Sequence, residues 1–211
     1  MNILVVGGTR YFGIHMVKRL LADGHQVTIA TRGRNKDPFG NQVERIHMDS
    51  YDEIKRQAEA ALYQEYGHIP SVAVRFPYVI GEDDYTNRLY FYVEHIVKEI
   101  PMKLIGEEEK ITFIDSRNAG ELLAWFAEEN LTGIFNACND GCMSVSEIIQ
   151  YVEEKTGKKA ILTEEGEAGP YNGTPSFTLN VDKLKKAGYQ LPPLSSYSNQ
   201  LLDAYIERAL S

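Results

Sequence analysis

The sequence predicts an α/β fold, a doubly wound parallel sheet with helices on both of its faces. Three observations predict it. The first thirty residues read strand, glycine turn, helix and strand, which is one βαβ unit. Strand-like and helix-like stretches then keep alternating along the rest of the chain, the pattern of parallel strands joined by helical crossovers. And 211 residues, 43% hydrophobic and 25% charged, are enough to bury one sizeable core.

The first strand covers residues 2–6, where Ile3, Leu4, Val5 and Val6 form an apolar run. A helix follows over about 11–23, stopped by Gly24, and a second strand covers 26–30. Residues 31–41 carry Gly33, Asp37, Pro38 and Gly40 and read as a loop before a short third strand at 43–48. Residues 51–66 are strong helix formers with Ala58, Ala61 and Leu62 on one apolar stripe, closed by Gly67. Further on, the pattern gives a strand at 71–76, a helix at 87–99, a strand at 111–114, a helix at 118–129 and a strand at 133–137. Ser144 and Ser146, with Glu147 three residues beyond the first, mark the cap of a helix running to Thr156. Short helical pieces at 181–187 and 200–209 complete the tail, separated by Gly188 and Pro192-Pro193. The chain is expected to be a single domain over 1–211. Its nucleotide-binding core is 1–81 plus 111–137, and its small C-terminal substrate lobe is mainly 82–110 and 138–211.

The turn Gly7-Gly8-Thr9-Arg10-Tyr11-Phe12-Gly13 carries the chemistry. A pyrophosphate at the end of a first strand needs backbone N–H groups aimed at it, a helix N-terminus behind them and no side chain in the approach. Gly7 and Gly13 meet those needs, with Arg10 where a middle glycine would stand, and the placement between strand and helix makes the pattern specific. The fold is therefore Rossmann-type and the expected ligand a nicotinamide dinucleotide. At the end of the second strand, an acid would accept hydrogen bonds from a ribose 2′-hydroxyl. Here Thr31-Arg32-Gly33-Arg34 offers guanidinium groups, which with Arg10 would hold a 2′-phosphate, so NADP(H) is favoured over NAD(H). Asp49, after the third strand, completes the candidate cofactor-binding set of Gly7, Gly8, Thr9, Arg10, Tyr11, Phe12, Gly13, Arg32, Arg34, Pro77 and Val79.

These segments together resemble the extended or atypical short-chain dehydrogenase/reductase superfamily, in particular its NAD-dependent epimerase/dehydratase branch. The likeness runs over nearly the whole chain. YDEIKRQAEAAL resembles the family's active-site helix, with Tyr51 and Lys55 as the Tyr-x-x-x-Lys pair. RFPYVIGEDDYTNRL is similar to the strand and loop that pass the nicotinamide, with Arg75, Pro77, Val79 and Gly81 matching. ITFIDSRNAGELL resembles a later segment, in which Asn118 stands where an acid is usual, and FNACND resembles the strand end that follows. The resemblance implies an NAD(P)-dependent oxidoreductase or epimerase/dehydratase, acting on a small hydroxyl or keto substrate such as a nucleotide sugar, and a homodimer.

The catalytic expectation also has a physical footing. A phenol is a poor acid or base at neutral pH unless a cation stabilises its phenolate. Lys55, four residues on, shares a helix face with Tyr51 and can do this.

One departure stands out. In the superfamily two further βα units separate the third strand from the Tyr-Lys helix, and the second delivers a Ser or Thr that binds the substrate oxygen. Here residues 43–49 run through Ser50 straight into Tyr51, so the fold lacks two central βα units. Three accounts are open: a segment absent from the sequence in hand, an internal deletion, or a partner chain that completes the sheet. A non-catalytic dinucleotide-binding sensor or regulatory module is the competing function.

The net charge of -8 and pI near 5.2 argue against a nucleic-acid or anionic-membrane surface. The N-terminus enters a strand at once, without signal-peptide features, and no apolar run approaches a bilayer span. With Cys138 and Cys142 as the two cysteines, a cytoplasmic protein with structural thiols is expected. His15, His25, His47, His68 and His95 lack metal-ligand spacing, so no metal site is expected. Tyr85, Tyr90, Phe91 and Tyr92 fit either a substrate pocket or a helix core, and Glu107 to Lys110 and Glu164 to Glu167 read as solvated loops.

Overall fold

The computed structural model describes residues 2–6, 8–31, 36–47 and 71–211. In chain order their elements are β1 (Asn2–Val6), α1 (Phe12–Ala22), β2 (Gln26–Thr31), β3 (Val43–His47), β4 (Val72–Arg75), β5 (Tyr78–Ile80), α2 (Arg88–Val97), β6 (Met102–Lys103), β7 (Phe113–Asp115), α3 (Ser116–Glu128), β8 (Gly133–Asn136), α4 (Val145–Thr156), β9 (Glu167–Ala168), α5 (Asp182–Lys186) and α6 (Ser198–Leu210). They group into two compact units. The first is Met1–Arg75, Ser116–Ala137 and Val181–Tyr189; the second is Phe76–Asp115, Cys138–Asn180 and Gln190–Ser211. No helix among the described residues is long and apolar enough to cross a membrane.

In the first unit β1, β2 and β3 form a parallel sheet in that order, with Asn2 opposite Gln26 and Val27 opposite Val43. Val17 and Leu20 of α1 are fully buried and pack with Val5, Val27 and Ile29, so the helix lays its apolar stripe on the sheet. The parallel pair β4 and β8 sets Val72 opposite Gly133. Among the described residues β1 pairs with β2 alone and β4 with β8 alone. Helix α3 packs against α1 at Gly120, where a Cβ would stand 2.5 Å from His15 Cβ and 2.6 Å from Phe12 O.

The second unit joins α2, α4 and α6 with the short parallel pairs β5–β7 and β6–β9. Its core contains Tyr92, Ile96, Phe113, Ile148, Val152, Leu202 and Tyr205. Helix α4 begins with the capping box that the sequence predicts: Ser144 Oγ accepts from Glu147 N at 3.2 Å, and Glu147 Oε2 accepts from Ser144 N at 2.8 Å.

Several boundaries differ from the sequence reading. The strand expected at 111–114 is β7 at Phe113–Asp115, and Ile111 makes a single antiparallel bridge with Met143. The run Ile-Thr-Phe-Ile is apolar enough to fit either register, and its partner decides. Helix α3 starts at Ser116, two residues early, because it follows β7 with no turn between them. Pro77 separates β5 from β4, since a ring without N–H cannot continue a ladder. The loop at Glu164 to Glu167 is largely exposed and that at Glu107 to Lys110 partly buried, and both are tied. Lys103 pairs with Glu164 at 2.6 Å and Lys110 with Glu147 at 2.5 Å, while Ser146 N donates to Glu107 O and Ser176 N to Glu109. Cys138 is buried, whereas Cys142 is exposed and so is not a structural thiol.

Candidate functional site

In the first unit the site is built from the turn between β1 and α1. Gly8 has φ +85°, and a Cβ there would meet Val5 Cγ1 and Val17 Cγ2 at 3.0 Å. A Cβ on Gly13 would stand 2.8 Å from Gly8 Cα and 3.2 Å from Gly8 N, so the helix start lies directly on the turn's backbone. Only glycine permits both the left-handed backbone and that approach. Tyr11, the residue before α1, takes φ 53° and is buried, with its ring tilted against Phe12 at 5.8 Å. Gly13 N donates to Arg10 O at 3.1 Å and Ile14 N to Tyr11 O at 2.9 Å, tightening the first turn.

Among the described residues no side chain caps α1, and no acidic residue lies in its first turn. The positive end of the helix is thus left for a ligand anion. Thr9 is half-buried and Arg10 exposed beside it. These residues fit a dinucleotide pyrophosphate: the cradle is one that a single added Cβ would fill.

Beyond β2, Arg45 forks onto Asp37, with Nε to Oδ2 at 2.9 Å and Nη2 to Oδ1 at 2.7 Å. That guanidinium holds the Asp37 carboxyl below its ordinary range. The same arginine reaches Gly40 O at 2.7 Å, and with it fixes the loop whose Phe39 is buried in the sheet-and-helix core. Sequence reading gave this stretch only as a loop. Gly7, Arg32, Arg34, Asp49, Ser50, Tyr51, Lys55, His68 and the expected helix at 51–66 lie outside the described residues.

In the second unit, Pro77 is half-buried just before β5, and Val79 is buried opposite Ile114. Between them Tyr78 shares a hydrogen bond with Thr174 Oγ1 at 3.2 Å and carries the Arg88 guanidinium over its ring at 5.1 Å. Sequence reading passed over both Tyr78 and Arg88, since nothing local marks a stack across ten residues. Of the aromatic group, Tyr90 and Tyr92 are core, Phe91 stacks half-buried on His95 at 3.7 Å, and Tyr85 is exposed. Burial pushes the Tyr92 hydroxyl far above its ordinary range, so it stays protonated while accepting from Tyr171 N at 2.9 Å. Asn118 sits half-buried in the first turn of α3. A cleft of about 270 Å³ between the starts of α4 and α6 is bordered by Asp140, Met143, Glu147, Tyr151, Leu194 and Leu202 and is mainly apolar. No trio of His, Cys, Asp or Glu among the described residues is arranged to hold a metal ion.

Residues 3–61 match the profile of the NAD dependent epimerase/dehydratase family. The fold is that of solved UDP-sugar epimerases. Within this fold the chain is similar to the UDP-glucose 4-epimerase of Thermus thermophilus solved in complex with NAD, with a TM-score of 0.71 and 14% identity over 97% of this chain and 99% of that one. It is similar to the UDP-glucose 4-epimerase of Thermotoga maritima with UDP-glucose, at a TM-score of 0.75 and 14% identity, covering 100% of both chains. The UDP-glucuronic acid 4-epimerase of Bacillus cereus, in complex with UDP-glucuronic acid and NAD, matches at a TM-score of 0.74 and 13% identity over 100% of this chain and 99% of that one. In sequence, 42 residues are 45% identical to the chloroplast stem-loop binding protein of 41 kDa b of Arabidopsis thaliana, which is 20% of this chain and 11% of that protein.

Proposed function

We propose that this chain is an NAD(P)-dependent epimerase/dehydratase or oxidoreductase of the extended short-chain type acting on a nucleotide sugar. The observation that carries the reading is the turn in which Gly13 folds onto Gly8 beneath an uncapped helix start. The family match over the same residues and the NAD named with the solved relatives support it. A bound nicotinamide supplies hydride transfer. Gly8, Thr9 and the first turn of α1, with Gly7, hold the pyrophosphate, and the family resemblance assigns Pro77 and Val79 to the nicotinamide. Tyr51 gives or takes the proton at a substrate oxygen, and Lys55 lowers the cost of the phenolate. At the adenosine end Arg10, Arg32 and Arg34 favour NADP(H) over NAD(H), and Asp49 adds a polar contact. We place the chain in the cytoplasm, on its two cysteines, and as a homodimer, on the resemblance.

Titration of the purified protein with NADH and NADPH, with turnover on UDP-sugars followed in parallel, tests this. Binding of either dinucleotide, and turnover that Tyr51→Phe abolishes, is the expected result. Tighter NADPH than NADH confirms the arginine argument, and the reverse order overturns that part alone. Absence of dinucleotide binding overturns the whole reading; binding without turnover of any UDP-sugar favours the sensor or regulatory module. The name of the Arabidopsis relative raises nucleic-acid binding as a further reading, which the net charge of -8 opposes.

A further inference from the structure

Ile161, Leu162, Thr163, Glu164 and Glu165 are all exposed, and two of them are large and apolar. The stretch runs alongside β6. Leu162 forms a parallel bridge with Met102, Met102 N donates to Ile161 O at 2.9 Å, and Thr163 N donates to Met102 O at 3.1 Å. On the other side of β6, Glu167 N donates to Pro101 O and Gly169 N to Lys103 O, so β9 fills that flank and the Leu162 stretch is the outer one. Both bonds to β6 are carried by the neighbours of Leu162. By the alternation of an extended chain, the N–H and C=O of Leu162 itself point the opposite way, out of the sheet edge. Among the described residues neither has a hydrogen-bond partner. At the preceding outward position the N–H is covered, since Ala160 N donates to Glu153 Oε1 at 2.9 Å. The open edge is therefore short and centred on Leu162.

An open apolar edge is a template for another strand, and the charges at its ends decide which strand it accepts. Lys158 and Lys159 precede the stretch and Glu164 and Glu165 close it, so it reads basic, apolar, acidic. A second copy laid parallel would bring lysine to lysine and glutamate to glutamate. Laid antiparallel, it brings the lysine end of each copy to the glutamate end of the other. Lys158 is turned to Val97 O and Glu99, which leaves Lys159 as the outward cation. Lys159 and Glu164 each hold a neighbour at 2.6 Å, Glu153 and Lys103, but with side chains 80% and 83% exposed these pairs are weak and readily shared. Ile100 and Ile105, two residues before and two after β6, are exposed as well and add apolar surface near it.

We infer that this edge pairs with the same edge of a second copy of this chain, antiparallel about a two-fold axis at Leu162. The two Leu162 residues exchange N–H to C=O bonds, Ile161 lies beside the partner's Thr163, and Lys159 lies near the partner's Glu165. Such an interface is isologous, so every contact occurs twice. The edge is short, and the dimer is accordingly weak, with a dissociation constant of about 1–100 μM. The inference gives the homodimer proposed above its surface and is independent of the dinucleotide reading.

Sedimentation velocity of the full chain over about 1–500 μM, a range that brackets that constant, tests this in wild type, Leu162→Asp, Lys159→Glu and Glu165→Lys. The three side chains are exposed, so a thermal melt is expected to show each variant folded as wild type is. Wild type is expected to dimerise and Leu162→Asp to stay monomeric. Each charge variant alone is expected to weaken association about tenfold or more, because like charges then meet at both symmetry-related contacts. An equal mixture of Lys159→Glu and Glu165→Lys is expected to recover it, since both contacts again join opposite charges. If Leu162→Asp melts low, the charge variants and their mixture decide. A wild type that stays monomeric throughout overturns the inference and the homodimer with it. A dimer that Leu162→Asp leaves intact, or a mixture that associates no better than either charge variant alone, overturns this surface and leaves the homodimer to another one.

Discussion

Gly13 shows how little room the turn leaves. An alanine methyl there would sit 2.8 Å from Gly8 Cα, against backbone that cannot rotate away as a side-chain tip can. Gly13→Ala is therefore expected to cost about 1–3 kcal/mol of stability and, by pushing the helix start off the strand end, to weaken dinucleotide binding about tenfold or more. Calorimetric titration beside a thermal melt separates the two effects; unchanged affinity would show that the turn holds no pyrophosphate. The polar residues that matter in the second unit act through one another. Thr86 carries no charge, yet it sits between a buried carboxylate and Arg88, so its hydroxyl fixes where that cation points.

Helices α1 and α3 cross at Gly120, where His15 Cβ, Phe12 O and Met16 N all lie within 2.6 Å of an added Cβ. Two of the three are backbone atoms, so Gly120→Ala must part the helices, at about 1–3 kcal/mol. A melting temperature within error of wild type would contradict that contact. The start of α4 gives an expectation with a pH sign. Lys110 and then the Ser144 N–H hold the Glu147 carboxyl below its ordinary value. A carboxyl depressed in the folded state contributes stability that is present above its unfolded pKa, and loses it as pH falls through the folded one. Glu147→Gln is thus expected to lower the melting temperature near pH 7 and to converge with wild type in acid, as the pH falls below the folded-state value. A difference that grows towards acid would reverse the assignment. Ser144→Ala, which removes the other half of the box, is expected to cost about 1 kcal/mol at either pH.

At the scale of the whole molecule, each unit has its own buried core, one built on β1–β3 with α1 and one on α2, α4 and α6. The acidic balance belongs to this scale too. With 30 Asp and Glu against 22 Lys and Arg, the chain presents a field that repels a phosphate backbone. It is expected to pass unretained through an immobilised stem-loop RNA even at about 50 mM salt. Retention that weakens steeply as salt rises would instead favour the nucleic-acid reading.

The sequence by itself determined what depends on neighbours in the chain. The βαβ start, the glycine turn from Gly7 to Gly13, the Ser144–Glu147 cap and the alternation of elements each follow from the conformational freedom, side-chain spacing or capping chemistry of residues a few positions apart. Tertiary structure alone decided the rest. Gly120 reads as an ordinary helix interruption until α1 is seen against it, more than a hundred residues earlier in the chain. Lys110 reads as a solvated charge until it meets Glu147. Arg88 reads as one more basic residue until Tyr78 lies beneath it and Asp84 is seen bonded to Thr86. Contacts of this kind are set by which surfaces the packed elements bring together, and neither periodicity nor composition records that choice.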